Sequence, residues 1–405
     1  YRTSDFLAAA DRLGVNVVVG AERRNALESV AGGGTLRVPL DNVTAGVMAI
    51  QAYAREHPLD GVVGVDDGSV VVAAAAAAQL GLPHNPLAAV ERSRDKAASR
   101  AAFAAAGLPS PRFAVFPATA SAAELTAIAI ATRFPAVLKP IGRAASQGVI
   151  RVDDAAQLVA GFRRVAAILG CDTDAGSVTE RNGSDAPSIL VEDFIPGIEV
   201  AVEGLLRDGQ LEVLAVFDKP DPLDGPYFEE TLYVTPSRLP TARRRLVESV
   251  VARATAALGL REGPVHAEVR LNDEGAWVLE VAARSIGGLC ARTLRFGAGV
   301  MLEELILRHA AGRELPPHQR ETGASGVLML PIRTGGTLRE VRGQAAARAV
   351  PGIDGLSITV PRGERLVPLP EGDRYLGFLF ARAPTPAGVE AALRQAWSRL
   401  EVVVD

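Results

Sequence analysis

Apolar and polar positions repeat with two different periods along this chain, and each change of period marks an element. Near the start, Thr3 or Ser4 can cap a helix that runs to Leu13 and stops at Gly14, and the apolar run 15–19 then reads as a short buried strand. A helix over 44–55, a strand over 61–65 and an Ala-rich helix over 70–80, entered through Asp66-Asp67-Gly68-Ser69, continue the alternation. Such βα alternation implies a parallel sheet with helices on its faces. A domain of this kind ordinarily opens with a strand, so the first strand is expected upstream of Tyr1. The Gly32-Gly33-Gly34 run leads into residues 35–39 rather than into a helix, which makes it a poor phosphate loop.

Beyond residue 90 the pattern becomes mixed. Ser93 is the expected N-cap of a helix that carries Lys96 and ends before Gly107. Residues 134–140 form an apolar strand with a single lysine, Lys139. A loop of small residues follows over 141–148, including Gly142, Ser146, Gln147 and Gly148, and then a strand over 149–152. A lysine on an apolar strand loses hydration unless an anion compensates it, and small residues let backbone N–H groups approach phosphate oxygens. A structural hairpin accounts for the same pattern. A helix over 153–169 and a long mobile loop over 172–188 come next. Two strands follow, joined by a turn at Pro196-Gly197 and carrying Glu192, Glu199 and Glu203; a strand pair with solvated glutamates fits them too.

The sharpest alternation lies in 265–288. With Asp273-Glu274-Gly275 as a three-residue loop, Asn272 pairs with Ala276 and Glu268 lies opposite Glu280. Ala267, Val269, Leu271, Trp277, Leu279 and Val281 then share an apolar face, while His266, Glu268, Arg270 and Glu280 share the other. Two carboxylates directly across a ladder repel unless a cation separates them. A hard divalent ion such as Mg²⁺ suits the gap, and so do pairings with Arg270 and Arg284. A two-residue turn would instead put Glu268 opposite Leu279.

Composition narrows the classes. With 405 residues, 48% of them hydrophobic, the chain can build two or three domains. A net charge of −4 gives no reason to expect nucleic acid, and no apolar run reaches the length of a membrane span. Cys171 and Cys290 lack metal-ligand spacing, and a reducing, cytoplasmic setting is expected.

Taken together, these pieces resemble the ATP-grasp superfamily, in its carboxylate–amine ligase branch, the L-amino acid ligases. The match rests on Asp95-Lys96 ahead of a helix ending Ala-Gly-Leu-Pro, on 134–149, on 191–197 with Glu199, and on 266–288. The resemblance implies an α/β fold, α+β within the grasp. Its parts would be a Rossmann-like N-terminal domain over 1–90, an ATP-grasp domain of two α+β subdomains over 91–325 with a lid at about 112–195, and a small C-terminal α+β domain over 326–405. It further implies ATP and Mg²⁺, with Mn²⁺ as a substitute. Lys96 and Lys139 would hold phosphates under the loop containing Gly142, Ser146, Gln147 and Gly148. Glu192, Asp193, Phe194 and Ile195 would form the adenine hinge, with Glu192 facing the amino group, and Glu199 would take the ribose.

By the same resemblance Glu268 and Glu280 are the metal carboxylates, Arg284 steadies the transferred phosphoryl group, and Gly287-Gly288 meet the substrate. Ala282 stands where many members of the superfamily have Asn, which suits the amino acid ligases. His266 would contact the substrate carboxylate or ease amine deprotonation, or would be a structural imidazole. The Pro/Gly-rich segment 217–230, with Lys219, Tyr227, Glu229 and Glu230, lies where the ligases recognise their amino acid, and a solvated connector is the alternative. The expected reaction joins a small-molecule carboxylate to an amine through an acyl phosphate, giving an amide or dipeptide, in a chain that needs neither nucleic acid nor membrane and that can form a homodimer. The alternatives are a ligase of purine or secondary-metabolite synthesis with a different acceptor, and a catalytically silent nucleotide-binding regulator.

Overall fold

A computed structural model describes residues 2–22, 34–172, 177–178, 187–297 and 299–405. Most of the Gly32–Gly34 run and most of the loop expected over 172–188 lie outside them. The first helix, Thr3–Leu13, ends as expected at Gly14, whose φ of 59° places it in the left-handed region. The strand expected over 15–19 is displaced to Val19–Ala21, which pairs in parallel with Thr35–Arg37. Residues 61–65 form no strand. A Cβ at Gly61 would lie 2.5 Å from the Ala310 carbonyl oxygen and one at Gly64 2.6 Å from the Val70 Cα, so this run is packed edge-on against neighbours. Its apolar character reflects the packing of the partly buried Val63 and Val65 against a core, not a place in a ladder.

The helix that carries Lys96 also starts two residues later than expected. Ser93 sits inside the preceding helix, Leu87–Arg94, and Asp95 is the cap, accepting from the Ala98 N–H at 2.8 Å.

Two sheets frame the centre of the molecule. The smaller has four strands in the order Phe113–Pro117, Ser188–Asp193, Ala136–Pro140, Ile150–Val152, and the helices Ala122–Ala131 and Ala155–Ile168 bury its apolar face. The larger has eight, running from Gly275–Ala282 through Gly263–Asn272, Ile198–Arg207, Gln210–Asp218, Leu232–Thr235, Ala324–Leu330 and Gly377–Ala383 to Ile353–Ile358. The helix Thr241–Leu258 covers one side of its hairpin end. The two strands around Pro196-Gly197, read from sequence as a pair, belong to different sheets, so the turn is the hinge between them.

The 263–282 hairpin closes with a two-residue turn, Asp273-Glu274, because Asn272 pairs with Gly275 and Leu271 with Ala276. That turn alone would set Glu268 against Leu279. A β-bulge at Leu279 adds one residue to the second strand, and Glu268 faces Glu280 after all. The shorter turn also reverses the expected faces between the turn and the bulge. Ala276 and Val278, with Val281 beyond the bulge, join Ala267, Val269 and Leu271 in the core, while Leu279 lines a cavity and Trp277 donates to Asn272 Oδ1 at 3.1 Å.

Candidate active site

A cavity of about 470 Å³ lies between the two sheets, and most of the residues singled out in the sequence meet there. Its lid side is walled by Lys139, by Arg143 to Ser146 and by the hinge residues Glu192 to Ile195. Its floor is Glu199, His266, Glu268, Arg270 and Glu280, and one end holds Arg284 with Gly287 and Gly288. Ile286, Leu289, Cys290, Met329 and Phe378 give that end an apolar wall, the last two coming from the C-terminal strands.

The hinge glutamate is not solvated. Glu192 is 3% exposed and both its oxygens are engaged. Arg100 Nε donates to Oε2 at 2.9 Å, and Lys139 Nζ lies 2.7 Å from Oε1. Burial opposes the charge, but Arg100 and then Lys139 outweigh it and hold the carboxyl down at about 2. Glu192 therefore holds two cations at the cavity wall. The Asp193 N–H is likewise committed, to Arg112 O at 3.0 Å, and the Ile195 carbonyl accepts from Arg270 at 2.7 Å. Lys96 bridges lid and floor, donating to Arg143 O at 2.6 Å and lying 3.7 Å from Glu280.

Under the floor sits Lys219, 8% exposed. Its ammonium is 2.7 Å from Glu199 and 3.2 Å from Glu268, and it contacts Glu230 as well. Ligand oxygens of these three glutamates lie within 4.8 Å of one another, a grouping that could hold a metal, but the ammonium occupies its middle. Arg270 donates to Glu199 at 2.9 Å, so the Arg270–Glu268 pairing considered from sequence does not form. His266 Nδ1 donates to the fully buried Glu203 at 2.6 Å, and Nε2 is 3.8 Å from Glu268. Burial alone would discharge this imidazole; the hydrogen bond to Glu203 and the nearby charge of Glu268 raise it to about 9. Nδ1 is thereby committed to Glu203, and Nε2 is the ring nitrogen turned toward Glu268 on the cavity floor.

Charge counting explains the neighbouring acid. Lys219, Arg270 and His266 face Glu199, Glu203, Glu230 and Glu268, one acid more than cations. Burial, against the pull of Lys219 and with Glu268 adding repulsion, pushes Glu230 up to about 7, while Lys219 and His266 hold Glu268 well below the usual range despite its burial. Cys290 stays a neutral thiol, raised by burial and by Glu230.

Other expected residues fall outside the cavity lining. Gln147 donates to Glu371 O at 2.8 Å and the Gly148 N–H to Pro370 O at 2.8 Å, so this end of the loop is docked on the C-terminal segment. Gly142 is not among the lining residues, and Tyr227 binds Arg164 against the lid core. Glu229 faces Arg333 and the Ile332 backbone. Lys219 is too enclosed by carboxylates to greet a substrate carboxylate. Of this segment Glu230 lines the cavity, together with Leu223 and Phe228.

Sequence reasoning missed Arg100, Asp67 and the acid held by His266. Arg100 carried a signal, since Lys96 and Arg100 are four apart and share a helix face. Asp67 pairs with Arg284 at 2.7 Å across 217 positions and had none.

A family model for the ATP-grasp domain matches residues 132–293, one for the ATP-grasp N-terminal domain matches 7–84, and one for the L-amino acid ligase C-terminal domain 2 matches 328–405. The solved L-amino acid ligase of Bacillus licheniformis superposes with a TM-score of 0.82 at 26% identity, covering 99% of this chain and 95% of that one. Carboxyaminoimidazole ribonucleotide synthase from Aspergillus clavatus, complexed with ATP, shares the fold at a TM-score of 0.71 and 16% identity, over 98% of this chain and 96% of that one. The alanine–anticapsin ligase of Bacillus subtilis is 28% identical over 276 residues, 65% of this chain, which thereby spans about half (54%) of that curated relative. The three matched segments together span most of the chain, which carries an ATP-grasp N-terminal domain, an ATP-grasp domain and an L-amino acid ligase C-terminal domain in that order and is similar over its length to the solved L-amino acid ligase.

Proposed function

We propose that this protein joins the carboxylate of an amino acid to an amine with ATP as phosphoryl donor, through an acyl phosphate, giving an amide or dipeptide with ADP and phosphate. The observation that carries this reading is the facing of Glu268 and Glu280 across the ladder on a cavity wall shared with Lys96, Lys139 and Arg284. The donor set is all oxygen, as Mg²⁺ requires, and the only cations near the pair among the described contacts are lysines and His266. Glu268 and Glu280 would hold that ion, which when bound neutralises charge on the transferring phosphoryl group.

The other roles follow from placement. Lys96 and Lys139 face the phosphates, with Arg143 to Ser146 as their roof. The purine meets the Asp193 carbonyl and the Ile195 N–H, the halves of those two residues not used by Arg112 and Arg270. A substrate carboxylate oxygen attacks the γ-phosphorus as the bond to ADP breaks, and Arg284 offsets the developing charge. The amine nitrogen then forms the C–N bond, phosphate leaves with the C–O electron pair, and the amine proton passes to solvent. Glu230, beside the apolar wall, is placed to receive the ammonium of the amino acid. Enclosure by the lid keeps water from the acyl phosphate.

The test is phosphate release from Mg·ATP with amino acids supplied in pairs, with the product identified by mass. Glu280→Gln should lower ligation by about a thousandfold, the scale seen when an electrostatic group at a reacting centre is lost, while the melting temperature stays put. Full activity in that variant would remove Glu280 from the site.

A further inference from the structure

Among the described residues, the N-terminal ninety contribute one side chain to the cavity wall, Asp67. Its neighbours are occupied with the turn itself: the Ser69 N–H donates to Asp66 Oδ1 at 2.9 Å, and the Val65 N–H donates to Ser69 Oγ at 3.0 Å. Asp67 instead reaches across to Arg284, its Oδ2 accepting from Nη2 at 2.7 Å.

Arg284 stands on a segment that has left its strand at Ala282 and has no ladder to hold it. A second side chain from the same end of the chain grips that segment from behind. Arg2, 2% exposed, donates through Nη1 to Ser285 Oγ at 2.5 Å and to the Ile286 carbonyl at 3.2 Å, and is itself tied to Glu303 at 2.6 Å. Farther on, a Cβ at Gly288 would lie 2.7 Å from the Phe378 ring, so the far end of the segment is pressed against the C-terminal strands.

We propose that Asp67 is a positioning residue that aims Arg284 at the reacting phosphoryl and acyl groups, with Arg2 fixing the backbone of the same segment. The inference rests on the ligase reading and on the role of Arg284 within it. A guanidinium on a long flexible side chain must be held in one plane to act on a transferring group, and a carboxylate at hydrogen-bond distance does that. Burial opposes ionisation of Asp67, yet Arg284, Lys96 and Arg94 outweigh it and hold its carboxyl below the ordinary value, so the charged partner is present at neutral pH. The pair is partly exposed on the Asp67 side, and such bridges add little to folding. Its loss should therefore appear in turnover.

The experiment compares the full chain with Asp67→Asn, Asp67→Ala, Arg284→Ala and the Asp67→Ala/Arg284→Ala double variant, reading kcat and the KM for ATP with the best amino-acid pair, and thermal unfolding. Asp67→Ala should lower kcat about tenfold to a hundredfold, the scale of a misplaced catalytic group, with the KM for ATP within about threefold and Asp67→Asn in between. On the Arg284→Ala background the same change should cost nothing further, since Asp67 acts through that arginine. Unchanged kcat, or losses that multiply in the double variant, would overturn the proposal. Should Asp67→Ala fail to fold, the isosteric Asp67→Asn decides by the same criteria. A wild type that ligates while Asp67→Ala keeps its full rate overturns this inference alone; a wild type that ligates nothing overturns the ligase reading and this inference with it.

Discussion

Two buried ion clusters, one at the lid hinge and one beneath the cavity floor, are built from the same kinds of side chain in opposite proportion. At the hinge, Arg100 and Lys139 share the single carboxylate of Glu192, which stays ionised down to about pH 2. Under the floor, Lys219 is shared by Glu199, Glu230 and Glu268, and Glu230 is pushed up to about 7. The first cluster has positive charge left over and the second has negative charge left over. In the proposed function a nucleoside triphosphate with a divalent ion would complement both at once, phosphates toward Lys139 and metal toward Glu268, since both residues line the cavity. Neither cluster is an efficient way to stabilise a fold, because desolvating ions offsets much of their attraction.

The comparison breaks most visibly at Lys219. Lys219→Met removes the one ammonium shared by the buried Glu199 and the partly buried Glu230 and Glu268 and should cost about 3–5 kcal/mol, the range for breaking a buried pair by removing one partner. Urea unfolding near neutral pH would show it, and a loss under 1 kcal/mol would mean the acids are far better hydrated than their enclosure suggests. At the hinge the corresponding change is milder, because Arg100 remains on Glu192 when Lys139 is removed. Lys139→Ala should raise the KM for ATP about tenfold to a hundredfold, corresponding to ~1.4–2.7 kcal/mol of lost phosphate binding. An unchanged ATP dependence would take this lysine out of the phosphate site.

The two clusters also differ in acid. Glu192 is held below its ordinary value of 4.5, so it adds stability that is fully present above that value and is lost as the pH falls toward about 2. Between pH 5 and pH 3.5 that loss amounts to about 1 kcal/mol. Denaturant unfolding of the wild type and of Glu192→Gln over this interval should show the wild type losing its pH-dependent share and the variant lacking it. Parallel pH profiles would show that the cations do not depress this carboxyl.

The motifs were legible in sequence where one local pattern carries both residues of a contact. The facing of Glu268 and Glu280 was found, although for an incomplete reason: the loop is one residue shorter than expected and the bulge at Leu279 restores the register. Hydrophobic alternation could not reveal that, because a bulge is one irregular residue whose cause lies in its neighbours across the sheet. The burial of Glu192, Glu199 and Glu203 was hidden as well, since their partners Arg100, Lys219, Arg270 and His266 come from other elements. The docking of Gln147 and Gly148 on residues 370–371 joins segments more than two hundred positions apart. The 61–65 run failed for a related reason: apolar composition reports burial, whereas a strand also needs a partner edge.

The smallest expected effect sharpens the comparison within two adjacent acids. Glu192 points inward to its cations, whereas Asp193 accepts from Arg112 at 2.7 Å in a bridge whose arginine side chain is 62% exposed. Alternation along the strand Ser188–Asp193 sets them on opposite faces. If the nucleotide uses only the backbone of Asp193, Asp193→Asn should shift stability by less than about 1 kcal/mol, as for an exposed ion pair, and leave the KM for ATP within about twofold, a difference of about 0.4 kcal/mol. Ligation kinetics across ATP concentrations would check it. A tenfold rise in KM would show that the carboxylate itself touches the nucleotide, and would bring the outward acid of the hinge into the same site as the inward one.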